Sequence, residues 1–138
     1  MSSRNKALIE QLIKSVWNQV EEDEVDRLVA EEYVGHPSGV VGTQAYKDFY
    51  RGLHNASPDI TFTVEDQIAE GDRVTTRWTA RGTHLGNYAG LPPSGRTFEF
   101  GGTSTHRIEG TKVIECWTNM DEAGLLRQLA PSAPVLAG

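Results

Sequence analysis

The chain has 138 residues, of which 38% are hydrophobic and 23% charged, a composition typical of one soluble globular domain with its own core. Its net charge of −6 and the scatter of its 13 basic residues along the chain argue against a surface that binds nucleic acid. The single cysteine, Cys116, excludes an internal disulfide, and no apolar run approaches the ~20 residues of a membrane span, so we expect a cytoplasmic protein without a membrane partner.

The N-terminal half has the hydrophobic spacing of helices. Residues 4–20 place apolar side chains at three- and four-residue intervals, which predicts an amphipathic helix. The acidic run 21–24 starts a second helix, because negative charge complements the dipole at a helix N-terminus. Glycine and proline interrupt the helical pattern at residues 35–39. Thr43 is then the expected N-cap of a third helix, which residues 55–59 end.

After Pro58 the hydrophobic period changes from that of a helix to that of a strand. Alternation predicts strands at residues 60–65, 73–84, 98–108 and 112–120. Residues 85–95 form a loop rich in glycine and proline, and the pair Gly101 and Gly102 indicates a bulge or sharp bend. A short amphipathic helix at residues 121–130 follows the last strand.

These elements predict an α+β fold, in which about three N-terminal helices and a short C-terminal helix accompany four or five antiparallel strands. We expect a single domain over residues 1–138, with a core at about 5–130 and a loose tail at 131–138. A long, bent sheet with helices across one face leaves a hollow at its wide end. Such a hollow is a natural site for a small molecule.

Asp121 is the sharpest candidate for chemistry. Alternation along residues 112–121 sets it on one face with Val113, Glu115, Trp117 and Asn119, and sets Ile114, Cys116, Thr118 and Met120 on an ordinary buried face. A carboxylate buried beside an indole is costly unless it is paired or protonated. Asp121 therefore either caps the last helix or acts as an acid or base, and the spacing supports both interpretations equally.

The histidines give a weaker signal. His84 and His106 each lie on a strand face whose other members are apolar or small, where a single histidine is more often a hydrogen-bonded core residue than a catalyst. The four histidines are far apart in the sequence, and neither a phosphate-binding loop nor a helical metal motif is present.

Several segments together resemble the SnoaL-like polyketide cyclases of the nuclear-transport-factor-2-like superfamily. They are SPDI at 57–60, AEGDRV at 69–74, RWTARGTH at 77–84, GLPPSGR at 90–96 and RIEGTKVIECW at 107–117. The resemblance covers about residues 5–130 without a large gap. It implies a cone-shaped fold that encloses a pocket for a small hydrophobic molecule, and chemistry that needs no cofactor and no metal.

The resemblance also implies a reaction. In such cyclases, an aspartate near the end of the last strand removes a proton from a carbon flanked by carbonyls, and the carbanion attacks a second carbonyl of the same molecule. Asp121 occupies the matching position, and His106 is the residue we expect to polarise a carbonyl or to orient that aspartate. The expected substrate contacts are the apolar wall of Phe49, Tyr50, Trp78 and Trp117 and the polar side chains of His36, His54 and Asn119.

Two alternatives to this cyclase remain open. One is a polyketide-tailoring hydroxylase that uses the same pocket without Asp121 as a base. The other is a non-catalytic module for small-molecule binding or dimerisation, in which Asp121 only caps a helix. Under each of them, Arg73, Arg77 and Arg81 with their interleaved threonines form a strand face that is either solvated or in contact with another chain. As the resemblance implies, we expect a homodimer or a higher homo-oligomer through the sheet.

Overall fold

The computed structural model describes residues 2–130, and the tail predicted at 131–138 lies outside the described residues. The helices are α1 (Ser2–Leu12), which continues as a π-helical turn at Ile13–Trp17, α2 (Glu22–Leu28), α3 (Gly42–Ala56) and α4 (Glu122–Leu129). The strands are β1 (Val29–His36), β2 (Thr61–Glu70), β3 (Arg73–Thr83), β4 (Thr97–Glu109) and β5 (Lys112–Met120). Together they confirm the predicted α+β fold.

The five strands form one mixed sheet in the order β1-β5-β4-β3-β2. The four predicted strands pair antiparallel with their neighbours, whereas β1 lies parallel to β5 at the edge. The prediction missed β1. Val29 pairs with Val113, and His36 pairs with Trp117. Periodicity did not identify this segment, because hydrogen bonding to the distant β5 is what makes it a strand.

The predicted N-cap of the third helix, Thr43, lies two residues after the observed one, Val41. Helix α3 begins at Gly42 after Val41, whose side chain makes no capping hydrogen bond, so Thr43 lies inside the first turn. Gly42 has a φ of 87°, a backbone conformation that favours glycine and turns the chain into the helix before Thr43 is reached.

The core lies between the helices and the inner face of the sheet. Ile9, Leu12 and Val16 are fully buried on the helical side. The inner face of β3 follows the predicted alternation, with Val74, Thr76, Trp78 and Ala80 all at most 3% exposed. No helix within residues 2–130 is long and apolar enough to cross a membrane.

The outer face of the sheet is polar. Arg77 forms an ion pair with Asp66 at 3.1 Å, and Arg81 forms one with Glu99 at 2.9 Å. All four side chains are more than half exposed, so each pair adds at most about 1 kcal/mol to stability.

A bulge in β5 changes which side chains face the core. Arg107 pairs with Glu115 and Ile108 pairs with Val113, so Ile114 has no partner residue on β4. Val113 is therefore fully buried, although simple alternation set it on the same face as Glu115. Beyond the bulge the prediction for Cys116 is confirmed, because its side chain is buried.

Gly102 makes room for the indole of Trp78. Pairing between β3 and β4 runs without interruption through Gly101 and Gly102, so the bulge that we considered there is absent. A Cβ at Gly102 would lie only 2.7 Å from Trp78 Cη2, whereas a Cβ at Gly101 would meet nothing closer than the Trp78 carbonyl oxygen at 3.6 Å.

We predict that Gly102→Ala destabilises the fold by about 1–3 kcal/mol, because the added methyl group displaces the Trp78 ring from its packed position. Gly101→Ala is the matched control, since both changes reduce the entropy of the unfolded chain alike, and it should stay within about 0.5 kcal/mol of the wild type. Urea unfolding measures both variants. Equal stabilities would contradict the packing argument.

Candidate functional site

A cavity of about 440 Å³ lies between the helices and the inner face of the sheet. Its aromatic lining consists of Trp17, Tyr33, Tyr46, Phe49, Tyr50, Phe62, Trp78, Tyr88, Phe98 and Phe100. A concave, mainly apolar space of this size with a few polar groups is the usual form of a small-molecule site.

Trp17 organises the cavity wall. Its ring stacks on Tyr50 at 5.5 Å and meets the edges of Phe62 and Trp78 at 5.3 and 6.0 Å. Its indole nitrogen donates a hydrogen bond of 2.8 Å to the Tyr46 hydroxyl. Such aromatic contacts hold rings in fixed orientations, so the wall is preformed.

Of the residues that the resemblance assigned to the wall, Phe49, Tyr50 and Trp78 line the cavity and Trp117 does not. The side chain of Trp117 lies between His36, with ring centroids 5.6 Å apart, and the guanidinium of Arg73, 5.0 Å above the indole. Because strand side chains alternate, the neighbours of Trp117 on β5 are the ones that point inward. Cys116 and Thr118 line the cavity in its place.

His36 and Asn119 also line the cavity, and the His36 side chain contacts Trp117 and Glu115, neither of which lines it. His36 Nε2 lies 2.7 Å from Glu115 Oε2, and Arg107 Nη2 donates to Glu115 Oε1 at 3.0 Å. Hydrogen bonds from His36 and Arg107 lower the pKa of the Glu115 carboxyl below its ordinary value. An ionised carboxylate can only accept, so His36 Nε2 carries the proton in this pair.

Asp121 is the N-cap of α4. Its Oδ1 accepts a hydrogen bond of 2.9 Å from the Gly124 amide, and a Cβ at Gly124 would lie 2.7 Å from the carboxyl carbon of Asp121. Asp121 is exposed and does not line the cavity, although Met120 and Glu122 on either side of it do. The capping interpretation, one of the two left open by the sequence, therefore matches this geometry.

His106 and His54 lie outside the cavity lining. His106 is fully buried on β4, 5.8 Å from Trp17 between ring centroids, and burial lowers its pKa to about 4. Within residues 2–130 neither of its ring nitrogens has a hydrogen-bond partner. His54 Nε2 lies 2.7 Å from the Trp17 carbonyl oxygen, so His54 supports the Trp17 backbone.

Several polar residues of the lining were not among the predicted site residues, and they include Tyr33, His84, Cys116 and Thr118. Burial raises the pKa of the Cys116 thiol to about 11 and raises that of Tyr33 well above its ordinary value, so both stay protonated at neutral pH. The alternation along β3 and β5 set His84, Cys116 and Thr118 on the inner face of the sheet, so the sequence carried a signal that they could line a cavity. Tyr33 had no such signal, because it belongs to the missed strand β1.

A hydrogen-bonded chain crosses the floor of the cavity. Trp78 Nε1 donates to Ser104 Oγ at 3.0 Å, and Ser104 Oγ and Thr118 Oγ1 are 2.9 Å apart. These contacts satisfy polar atoms that would otherwise be buried without partners. Within residues 2–130 no three histidine, cysteine or acidic side chains are grouped so that they could hold a metal ion.

Known proteins are similar to this chain in sequence and in fold. The model of the family described as SnoaL-like polyketide cyclase matches residues 7–129. The structure of TsrD from Streptomyces laurentii is similar, with 27% identity, a TM-score of 0.86 and coverage of 94% of this chain and 97% of that chain. A comparison with curated protein sequences finds no match.

Two further solved structures are similar over most of the chain. IdmH from Streptomyces antibioticus, a proposed polyketide cyclase, has 29% identity and a TM-score of 0.78, with coverage of 91% of this chain and 97% of that chain. AclR from Streptomyces galilaeus, a proposed hydroxylase, has 25% identity and a TM-score of 0.84, with coverage of 99% and 88%.

We predict that His106 makes the fold sensitive to acid. The pKa of His106 falls from 6.5 to about 4 on folding, so between these pH values the unfolded chain binds a proton that the folded chain does not. Stability should therefore fall on acidification through this window, with a contribution from His106 of about 3 kcal/mol. His106→Leu should lose less stability than the wild type between about pH 7 and pH 4 in urea unfolding. Equal losses in the two proteins would contradict this assignment.

Proposed function

The chain belongs to the SnoaL-like polyketide cyclase family, and from this membership we infer that it is a cofactor-free cyclase acting on a small, hydrophobic, polyketide-like molecule. The observation that carries the proposal is the preformed aromatic cavity of about 440 Å³. Its apolar walls suit a flat polycarbonyl chain, and its few polar groups can bind the oxygens of that chain.

The proposed reaction is an intramolecular aldol condensation. A base removes a proton from a carbon flanked by two carbonyls, and the resulting carbanion forms a carbon–carbon bond to a third carbonyl of the same molecule. The oxygen of that carbonyl becomes an alkoxide and takes up a proton. Confinement in the cavity holds the two reacting carbons together, an effect that can supply a large part of the rate.

We propose Asp121 as the residue that removes and returns the proton. Asp121 is exposed, and its two neighbours in the chain, Met120 and Glu122, line the cavity although Asp121 itself does not. Only its Oδ1 accepts the Gly124 amide in the cap, and this bond also fixes the orientation of the carboxylate. His106, the other proposed catalytic residue, is separated from the cavity, so its proposed role is to support Trp17 in the wall.

Substrate contacts are proposed at the edge of the cavity and in its wall. His36 and Asn119 offer polar groups there, and Phe49 is 42% exposed, so its ring can cover a bound ligand. Tyr50 and Trp78 supply the rigid apolar wall. The contacts that we inferred for Trp117 and His54 are proposed as indirect, through His36 and Trp17 respectively.

A hydroxylase that modifies a polycyclic polyketide is the second candidate function. The similarity to AclR, which extends over 99% of this chain, favours it. Such an enzyme would use the same aromatic cavity but would not need Asp121 as a base.

We also propose that two copies of the chain associate through the outer face of the sheet. Ile68 is 74% exposed there, and it pairs across the sheet with Thr75, whose hydroxyl bonds that of Thr105 at 2.8 Å. The neighbouring pair of Arg77 and Asp66 gives this face a polar rim. An apolar residue within a polar, ordered surface is typical of the wet interfaces found between subunits.

Asp121→Asn tests the cyclase proposal. Asparagine caps a helix as well as aspartate does but cannot exchange the proton, so we expect turnover to fall by about 10²–10⁴-fold with unchanged stability. Asp121→Ala should show the same loss of turnover and a further loss of about 1 kcal/mol in stability. The assay follows ring closure of a linear 1,3-dicarbonyl polyketide by chromatography, against the uncatalysed closure.

Full turnover in Asp121→Asn would remove Asp121 from the chemistry and favour the hydroxylase. Ring closure no faster than the uncatalysed reaction with the wild-type protein would contradict the cyclase proposal.

Ile68→Asp tests the proposed dimer. A charge on the outer face of β2 should shift the protein from dimer to monomer in multi-angle light scattering, because an unpaired carboxylate is costly to bury in an interface. Leu85→Asp is the control, since Leu85 is also exposed, at 54%, but lies in the loop after β3. A monomeric wild type, or equal masses for Ile68→Asp and wild type, would contradict the proposal.

A further inference from the structure

His84 lies immediately after β3 and is held tightly at the end of the sheet. Its backbone amide donates to the Arg96 carbonyl at 2.9 Å, and its own carbonyl accepts from the Gly95 amide at 2.8 Å. The residue is only 1% exposed, yet its side chain lines the cavity. The imidazole is therefore a fixed polar group inside a mainly apolar space.

Ser94 determines which nitrogen of His84 carries the proton. The Ser94 amide donates to His84 Nδ1 at 3.3 Å, and an amide N–H can only donate, so Nδ1 must be the unprotonated nitrogen. Ser94 Oγ lies 2.9 Å from the same nitrogen and accepts a hydrogen bond from the Arg96 amide, which leaves its own proton free to point at Nδ1. A neutral imidazole in this setting has its proton on Nε2.

Within residues 2–130, His84 Nε2 is buried and has no hydrogen-bond partner. Leaving a buried donor unsatisfied costs about 1–3 kcal/mol, and such groups in native proteins call for an explanation. Nδ1 is already engaged by Ser94, so Nε2–H is the polar atom that the ring can offer to a molecule in the cavity. An oxygen acceptor on a ligand would satisfy it.

We propose that His84 Nε2–H is the donor that binds a carbonyl or enolate oxygen of the ligand, and that this contact selects oxygenated molecules over hydrocarbons of the same shape. The proposal rests on the proposed function of the cavity and assigns one of its polar contacts. A site built to bond an oxygen rejects an analogue without it, because the buried donor is then left unpaired.

The position of His84 also specifies where on the ligand the oxygen lies. Thr83, just before His84, pairs with Thr97 on β4. At the other end, His36 pairs with Trp117 on β5, and Trp117 pairs with Thr105 on β4. Thr97 and Thr105 are eight residues apart on one strand, so His84 and His36 lie at opposite ends of the cavity along the strands. The ligand should therefore be an elongated molecule with an oxygen at the end that meets His84, away from the end lined by His36.

The first test uses the wild-type protein and measures the tautomer. Long-range proton–nitrogen NMR of ¹⁵N-histidine-labelled protein at neutral pH should show His84 with the proton on Nε2. Adding 9-fluorenone should shift the Nε2 resonance, whereas fluorene, which has CH₂ in place of the carbonyl, should leave it nearly unchanged. A proton on Nδ1 in the free protein, or equal responses to the two compounds, would overturn the proposal.

The second test measures affinity. The wild type should bind 9-fluorenone about 10-fold more tightly than fluorene, as followed by quenching of tryptophan fluorescence, and His84→Leu should lose this preference. Leu85→Ala is the control, because Leu85 follows His84 in the chain but is 54% exposed and does not line the cavity, so the preference should be kept. An unchanged preference in His84→Leu would overturn the assignment of His84.

These outcomes separate the two proposals. A failure of both compounds to bind the wild type would overturn this inference together with the proposal of an apolar ligand. Ring closure by a protein that makes no distinction between ketone and hydrocarbon would overturn the role of His84 alone and leave the proposed function standing.

Discussion

The packing of one indole, that of Trp17, sets the distance between the two layers of the fold. Trp17 follows α1 in the π-helical turn and contacts Tyr50 of α3, Phe62 of β2 and Trp78 of β3. Its indole nitrogen bonds Tyr46, and its carbonyl oxygen bonds His54. Because these partners come from both layers, the ring works as a spacer: the helices cannot approach the sheet further, and the space beside the ring remains open as the cavity.

The chemistry that such a cavity can perform follows from how its polar groups are distributed. The walls are mainly aromatic, and His36 and His84 are among the few polar side chains of the lining. Water is largely displaced from a space of this kind, so each hydrogen bond made inside it is stronger than in bulk solvent. Acid–base chemistry on a polycarbonyl chain benefits from this arrangement, because the charge that develops on oxygen meets fixed donors and needs no rearrangement of solvent.

Periodicity predicted most of the fold correctly and the site only in part. The alternation of β3 assigned Val74 and Trp78 to the core, and the structure confirms both. Strand β1 could not be predicted in the same way, because its pairing with β5 depends on residues about eighty positions away. The bulge at Ile114 is equally non-local: it is defined by the register against β4, and it moves Val113 into the core.

The site residues also divide into those fixed by local sequence and those fixed by distant contacts. The cap formed by Asp121 is local, and the sequence identified it as one of two alternatives because the helix begins at the next residue. Phe49 and Trp117 looked alike as aromatic candidates, yet only Phe49 lines the cavity, because a strand residue faces one side of the sheet alone. His84 was visible as an inward residue of β3, but its free nitrogen depends on Ser94, which lies across a loop.

The parallel pairing of β1 with β5 has a consequence for synthesis of the chain on the ribosome. Translation produces residues 29–36 long before their partner strand at 112–120, so β1 leaves the exit tunnel with both of its edges unpaired. Part of the cavity is enclosed by residues of both strands, Tyr33 and Gly35 on β1 and Cys116 and Thr118 on β5. These residues come together only when β5 emerges. The nascent protein therefore leaves its future binding surface uncovered during most of its synthesis, and a chaperone that shields β1 would protect it during this interval.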